Sequence, residues 1–243
     1  MEELYKTTEI RTLEELASEE SLVLFDTSAT DVLGKNRRNL EFHTEQELTQ
    51  FTRDGIQFLI ELRKYIKESN FFITNPVFEE LEYKEHYPYK KIIRKEGQCK
   101  NRELLELRRE IRRFIREQGR TLTAFYDNQR VLPPFRTCEE NKPANFFLDE
   151  KKKKLYEELH RRYLELRRKY ELSDANYDFL ITGITLAKTS TPVIFLSNDY
   201  NIFYARNAIV RDNLTSKQSA RFFTRIGLFE FRGLEIPKNN EQN

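Results

Sequence analysis

Three short, almost uniformly apolar runs constrain the fold most strongly: Ser21-Leu22-Val23-Leu24-Phe25, Phe71-Phe72-Ile73-Thr74 and Val193-Ile194-Phe195-Leu196. Each is too short for a helix. The first and last stop abruptly at Asp26-Thr27-Ser28 and Ser197-Asn198-Asp199. A strand that is apolar at successive positions must be covered on both faces, as in a parallel sheet held between helices. Helical patterns separate the runs. A short helix is expected over 12–20. Thr44 and Glu47 form a capping box, after which Leu48, Phe51, Phe58, Leu59, Leu62, Tyr65 and Ile66 carry a helix to about Glu68. Asn75 is placed as a cap with Pro76 in the first turn. Ser173 is placed as the cap of a helix from Asp174 to about Lys188, and a further helix is expected from Ile202 to Ala208. A last strand-like stretch follows around Leu228 to Phe231. Strands alternating with helices predict a three-layer α/β domain with a mostly parallel central sheet.

Composition narrows the class. The 243 residues suit one large domain, or a smaller one with an insertion. Nineteen Phe and twelve Tyr supply core volume although 34% of residues are charged, so the chain is expected to fold with a highly charged surface. No stretch approaches the roughly 20 apolar residues of a membrane helix, and Met1-Glu2-Glu3 lacks the start of a signal peptide, so a cytoplasmic protein with no membrane partner is expected. Cys99 and Cys138, without clustered histidines, argue against disulfide scaffolds and zinc sites.

Charge is unevenly distributed. Residues 1–83 carry 9 basic and 18 acidic side chains, residues 84–171 carry 25 and 15, and residues 172–243 carry 8 and 7. The middle segment offers helical patterns and no evident strand. From Asn101 to Arg120, Leu104, Leu107, Ile111, Phe114 and Ile115 share one side, while Arg102, Arg109, Arg113, Arg116 and Arg120 fall opposite. Over 150–171, Leu155, Leu159, Tyr163, Leu166 and Tyr170 point inward, with Lys154, Arg161 and Arg168 on another face. Pro133, Pro134 and Pro143 interrupt the two patterns. The simplest organisation is an α/β domain in two parts, 1–83 and 172–243, with an inserted basic helical arm over 84–171. Such a surface suits a polyanion, although a solvated helical face has the same composition.

The carboxylates carry the chemistry. Asp26 and Asp199 close predicted strands, and in open α/β sheets ligands gather beyond the carboxyl ends of the strands. Asp174 and Asp178 stand one helical turn apart. Clustered carboxylates repel unless a proton or cation intervenes, and oxygen donors without His or Cys suit Mg²⁺ or Mn²⁺. Alternatively, Asp174 and Asp178 are helix-start acids that interact with the macrodipole.

These segments resemble the motifs of PIN-domain nucleases. Leu22 to Ser28 looks like their first strand and its Asp-Thr-Ser ending; Thr74-Asn75-Pro76-Val77-Phe78-Glu79-Glu80-Leu81 is similar to the second motif, with Glu80 as the matching acid and Glu79 as its alternative. Ser173 to Ile181 resembles the third, where Asp178 matches the usual acid and Asp174 an accessory one. Val193 to Asp199 resembles the fourth. Asn201 departs from the many members that carry a further acid there, which weakens a second metal site. The helical insertion resembles that of minimal protein-only RNase P enzymes.

The resemblance implies a PIN-like fold and a Mg²⁺- or Mn²⁺-dependent endoribonuclease in RNA processing, tRNA 5′ maturation being one candidate task. Asp26, Glu80, Asp178 and Asp199 are then the catalytic residues, joined by Asp174 in holding metal. Ser28 and Asn198 support them from behind, Ser28 being equally readable as a local turn cap. Arg109, Arg113, Arg116, Arg161 and Arg168 are the expected RNA contacts, opposed by the reading in which Glu106, Glu110 and Glu117 neutralise them at helical spacing. The arm could also join copies of the chain or dock a partner protein. An inactive PIN-type RNA-binding or scaffold protein and a toxin-type ribonuclease are the alternatives.

Overall fold

The computed structural model describes residues 6–30, 44–84, 102–132, 150–189, 191–215 and 218–236. The three apolar runs form Leu22–Phe25 (β2), Phe71–Thr74 (β3) and Val193–Leu196 (β5), each buried along its whole length. Strand β2 pairs in parallel with both of the others, Val23 opposite Phe71 on one side and Leu24 opposite Phe195 on the other. Four more strands join them: Lys6–Thr12 (β1), Val131–Leu132 (β4), Ala220–Arg225 (β6) and Glu230–Glu235 (β7). Among the described residues they form one sheet of order β1-β7-β6-β5-β2-β3-β4. From β6 to β4 every pairing is parallel, whereas β7 and β1 add an antiparallel edge.

The helices are Leu13–Ala17 (α1), Thr27–Thr30 (α2), Glu45–Ile66 (α3), Asn75–Glu79 (α4), Arg102–Asp127 (α5), Glu150–Arg162 (α6), Leu164–Lys169 (α7), Asp174–Lys188 (α8) and Tyr200–Asn213 (α9). A π-turn, Glu80–Lys84, continues α4. The capping box at Thr44 is present, and Ser173 accepts a hydrogen bond from the Asn176 amide as the cap of α8. Asn75 does not cap α4: Thr74 occupies that position without a side-chain bond, and Asn75 Nδ2 donates instead to Glu79 Oε1 at 2.8 Å. From β2 the chain steps through β3 to β4, then returns to β5 and steps to β6 in the opposite direction. Right-handed crossovers therefore put α3 and α5 on one face and α8 and α9 on the other, giving three layers.

The middle segment contributes to the common sheet and core. Strand β4 pairs with β3 at Ile73–Val131 and Thr74–Leu132, inside the common sheet. Helix α5 buries Leu107, Ile111 and Phe114 against Leu48, Ile56 and Leu59 of α3. Helix α6 instead meets α8, where Tyr177 Oη donates to the His160 carbonyl at 2.6 Å. The expected helix over 150–171 breaks at Tyr163, whose φ of −107° and ψ of 15° leave the helical region. Helix α5 runs past Arg120 and ends in a Schellman turn, with Gln129 at a φ of 56° and the Arg130 amide donating to Phe125 O at 2.7 Å. Pro133, Pro134, Pro143, Cys99 and Cys138 lie outside the described residues. No helix among the described residues is long and apolar enough to cross a membrane.

Two helical glycines make opposite demands. A Cβ on Gly183 of α8 would lie 2.3 Å from the Phe195 ring, because this helix is pressed onto β5; a Cβ on Gly119 of α5 meets nothing within 4 Å. Gly183→Ala is expected to cost about 1–3 kcal/mol through overpacking. Gly119→Ala is expected to stabilise by up to about 1 kcal/mol by favouring the helix. Urea unfolding of the two variants checks both signs.

Candidate acidic site at the strand ends

The sheet order reverses between β2 and β5, and a crevice opens beyond the carboxyl ends of two adjacent strands at such a point. Asp26 follows β2 directly, and its amide extends the ladder by donating to Leu196 O at 2.9 Å. Its side chain is therefore held at the junction of the two strands and is only 1% exposed. Oδ2 accepts from Ser28 Oγ at 2.5 Å, Ser197 Oγ at 2.8 Å and the Ser28 amide at 3.2 Å. Oδ1 is buried without a hydrogen-bond partner. Burial pushes the Asp26 carboxyl up to about 6; the Ser28 and Ser197 hydrogen bonds oppose that rise, and the charge of Asp199 adds to it.

Asp199 caps α9. Its Oδ1 accepts from the Asn201 amide at 2.9 Å, its Oδ2 accepts from Asn176 Nδ2 at 2.9 Å, and its own amide donates to Ser197 Oγ at 3.0 Å. Ser197 thus touches both acids. Asn198 braces the base of the crevice: its amide donates to Ser28 Oγ and its Nδ2 to Ser28 O, both at 2.9 Å, while its Oδ1 accepts from Thr224 Oγ1 and the Arg225 amide. One side chain thereby fixes the ends of β2, β5 and β6 together. Glu80 enters from the π-turn, where Oε2 accepts from Thr27 Oγ1 at 2.8 Å. Glu79 is exposed and bonded to Asn75.

The helix acids behave differently. Asp174 stays out of this cluster: its side chain is 82% exposed and ion-paired with Arg167 of α7. The i,i+4 spacing placed Asp174 and Asp178 on one helical face but did not say where that face points. Asn176, about 200° further round than Asp174, is the α8 side chain that reaches Asp199. Asp178 accepts from Tyr156 Oη of α6 at 2.5 Å. Sequence reasoning missed Ser197, Thr27, Asn176 and Tyr156. Ser197 was marked by its position two residues before Asp199; nothing in the local pattern singles out the others.

Among the described residues, no three His, Cys, Asp or Glu side chains are grouped to hold a metal ion. Asp26 and Asp199 are linked through the Ser197 hydroxyl, and Glu80 is tied to Thr27, the residue after Asp26. The orphaned Asp26 Oδ1 is nevertheless a hard, anionic donor that a cation could satisfy.

The arginine stripe is real but differently composed. Arg109, Arg113, Arg116, Arg161 and Arg168 are all exposed. Arg113 stands 3.9 Å from Glu110, and Arg161 Nε donates to the Glu157 carbonyl at 3.3 Å. Glu106 and Glu110 face Arg53 of α3, while Glu117 binds Arg63 at 2.6 Å and Arg120 at 2.7 Å. The acids of α5 are thus neutralised mainly by the neighbouring helix.

Fold and crevice together define a doubly wound α/β protein with acids at its topological switch point. Comparison with protein-family models, with curated proteins and with solved structures gives no match to this chain.

The raised Asp26 pKa has a definite sign. Its protonated form is favoured in the fold, so its contribution is fully present below the unfolded value near 3.8 and is lost as pH rises through about 6. In EDTA, the stability of wild type relative to Asp26→Asn should fall by up to about 3 kcal/mol between pH 4 and 7. Urea midpoints across that range test it; a difference that does not vary with pH would contradict the burial.

Proposed function

We propose that the chain is a metal-dependent endoribonuclease of the PIN type, cleaving RNA phosphodiester bonds in RNA processing. The observation that carries this reading is the buried, unsatisfied Asp26 Oδ1 at the β2–β5 switch point, flanked by Asp199 and Glu80. The four motif resemblances fall on the segments that build this crevice. Asp26 would hold Mg²⁺ or Mn²⁺ through Oδ1, with Glu80, Asp178 and Asp199 as the further carboxylates the motif resemblance supplies. The ion, when bound, would neutralise phosphoryl charge and acidify a water.

The chain's own groups hold the acids in place. Ser28 and Ser197 fix one Asp26 oxygen and leave the other facing away from them. Asn176 and the α9 amide turn Asp199, and Thr27 draws Glu80 toward the same strand end. Maturation of tRNA 5′ ends remains one candidate task within this class. A second reading, an inactive RNA-binding or scaffold protein, is favoured by the Arg167 ion pair that occupies Asp174.

Structured and single-stranded RNAs incubated with Mg²⁺, Mn²⁺ or EDTA separate the two. Ser197→Ala is expected to lower metal-dependent cleavage about 10–100-fold, as loss of a residue that orients a ligand does, and Asp26→Asn or Asp199→Asn by more. Mg²⁺ should also raise the melting temperature of wild type and not of Asp26→Asn. Cleavage that survives both Asp substitutions would remove this catalyst, and no cleavage by wild type would favour the scaffold reading.

A further inference from the structure

Helix α5 carries a groove of about 340 Å³ lined by Leu105, Arg108, Arg109, Arg112 and Arg116, with no carboxylate in its wall among the described residues. Positions 105, 109, 112 and 116 follow heptad-like spacing, so they form one line along the helix about 16 Å long. Arg108 is 8% exposed and lies beside that line, and Leu105 is 52% exposed at its end. The acids of the same helix are turned away: Glu106, Glu110 and Glu117 meet Arg53 and Arg63 of α3. Among the described residues, neither Arg109 nor Arg116 has a carboxylate within ion-pair distance. The α3–α5 pairing therefore separates charge, with acids in the helix–helix seam and guanidinium groups in the groove.

We propose that this groove is a binding site for the phosphodiester backbone of a nucleic-acid strand. The guanidinium fork matches a phosphate through two parallel hydrogen bonds, and a row of such groups over about two helical turns suits a ligand with repeating charge. An acidic protein partner would need buried apolar anchors at the centre of its interface, and among the described residues the only exposed apolar side chain lining this groove is Leu105, at its end. The membership differs from the stripe read on the sequence: Arg108 and Arg112 belong to it, while Arg113 lies outside and leans toward Glu110. The site stands on its own observations and does not require the catalytic reading.

The test is fluorescence anisotropy with the full chain in EDTA, using labelled single-stranded RNA and DNA of one sequence over a range of salt concentrations. Arg109→Gln and Arg116→Gln together should weaken binding by about tenfold per arginine. They should also reduce the salt slope of log affinity by about 1.4. Arg113→Gln should change affinity less than about threefold, since a general surface field would weaken equally with any arginine. Equal affinity for RNA and DNA, or a preference for RNA, both support a backbone site; the preference adds a ribose contact. Circular dichroism of each variant establishes that the fold is intact. The proposal is overturned if the double variant keeps wild-type affinity and slope, if Arg113→Gln costs as much as Arg109→Gln, or if polyglutamate competes as well as RNA at equal charge. Because no cleavage is measured, an inactive crevice would leave this result unchanged, and an unused groove would leave the crevice assay unchanged.

Discussion

The parallel seam between β2 and β5 holds the molecule and its acidic crevice in one piece of geometry. Four consecutive residue pairs, from Leu22–Val193 to Phe25–Leu196, bring two segments 171 residues apart in sequence into register. The next residue on each strand is polar, and there the seam changes character: Ser197 bonds to Asp26 and Asn198 to Ser28. A carboxylate that emerged one residue earlier would point into a helical layer, since successive strand residues alternate faces. Its placement is thus a consequence of strand length. Burying that charge is unfavourable, and three hydrogen bonds on a single oxygen offset only part of the cost.

Charge is organised in a second way where α3 and α5 pack together. Helices α3 and α5 share an apolar seam, and the arginines of α3 reach across its edge to the acids of α5. The exposed Arg53–Glu106 pair contributes little stability, whereas Glu117 is buried beside Arg63; together these pairs draw the acids of α5 to the α3 side.

The parts of this architecture that were legible in the sequence are those whose surroundings are uniform. β2, β3 and β5 are covered on both faces, so every residue reports burial. β1 is an edge strand with no fully buried residue, and its Lys, Glu and Arg read as loop. β6 carries Arg221 and Arg225 at its ends, one paired with Glu9 and Glu19, the other stacked 4.5 Å over Phe58, so charge masked a buried strand. β4 has only two residues, too few to show a period. Helix α5 was cut short at Gly119-Arg120 because its true end uses Gln129, not glycine, in the left-handed turn. In the site, Asp26 and Asp199 were legible because strand ends are; Asp174 was misplaced because helical spacing gives relative angle and not direction. Asn176 became visible only once Asp199 was seen beside it.

The first and last strands of the described chain lie against each other, Lys6 opposite Glu235 and Thr12 opposite Glu230. A ribosome releases β1 first, yet its hydrogen-bonding mate is made more than two hundred residues later. The early strand must therefore wait while the parallel layers assemble, and the sheet gains its outer border only once β7 has been made. Until then β7's future neighbour is a loose polar segment, and its Lys6, Glu9 and Arg11 help keep it from pairing with the wrong chain.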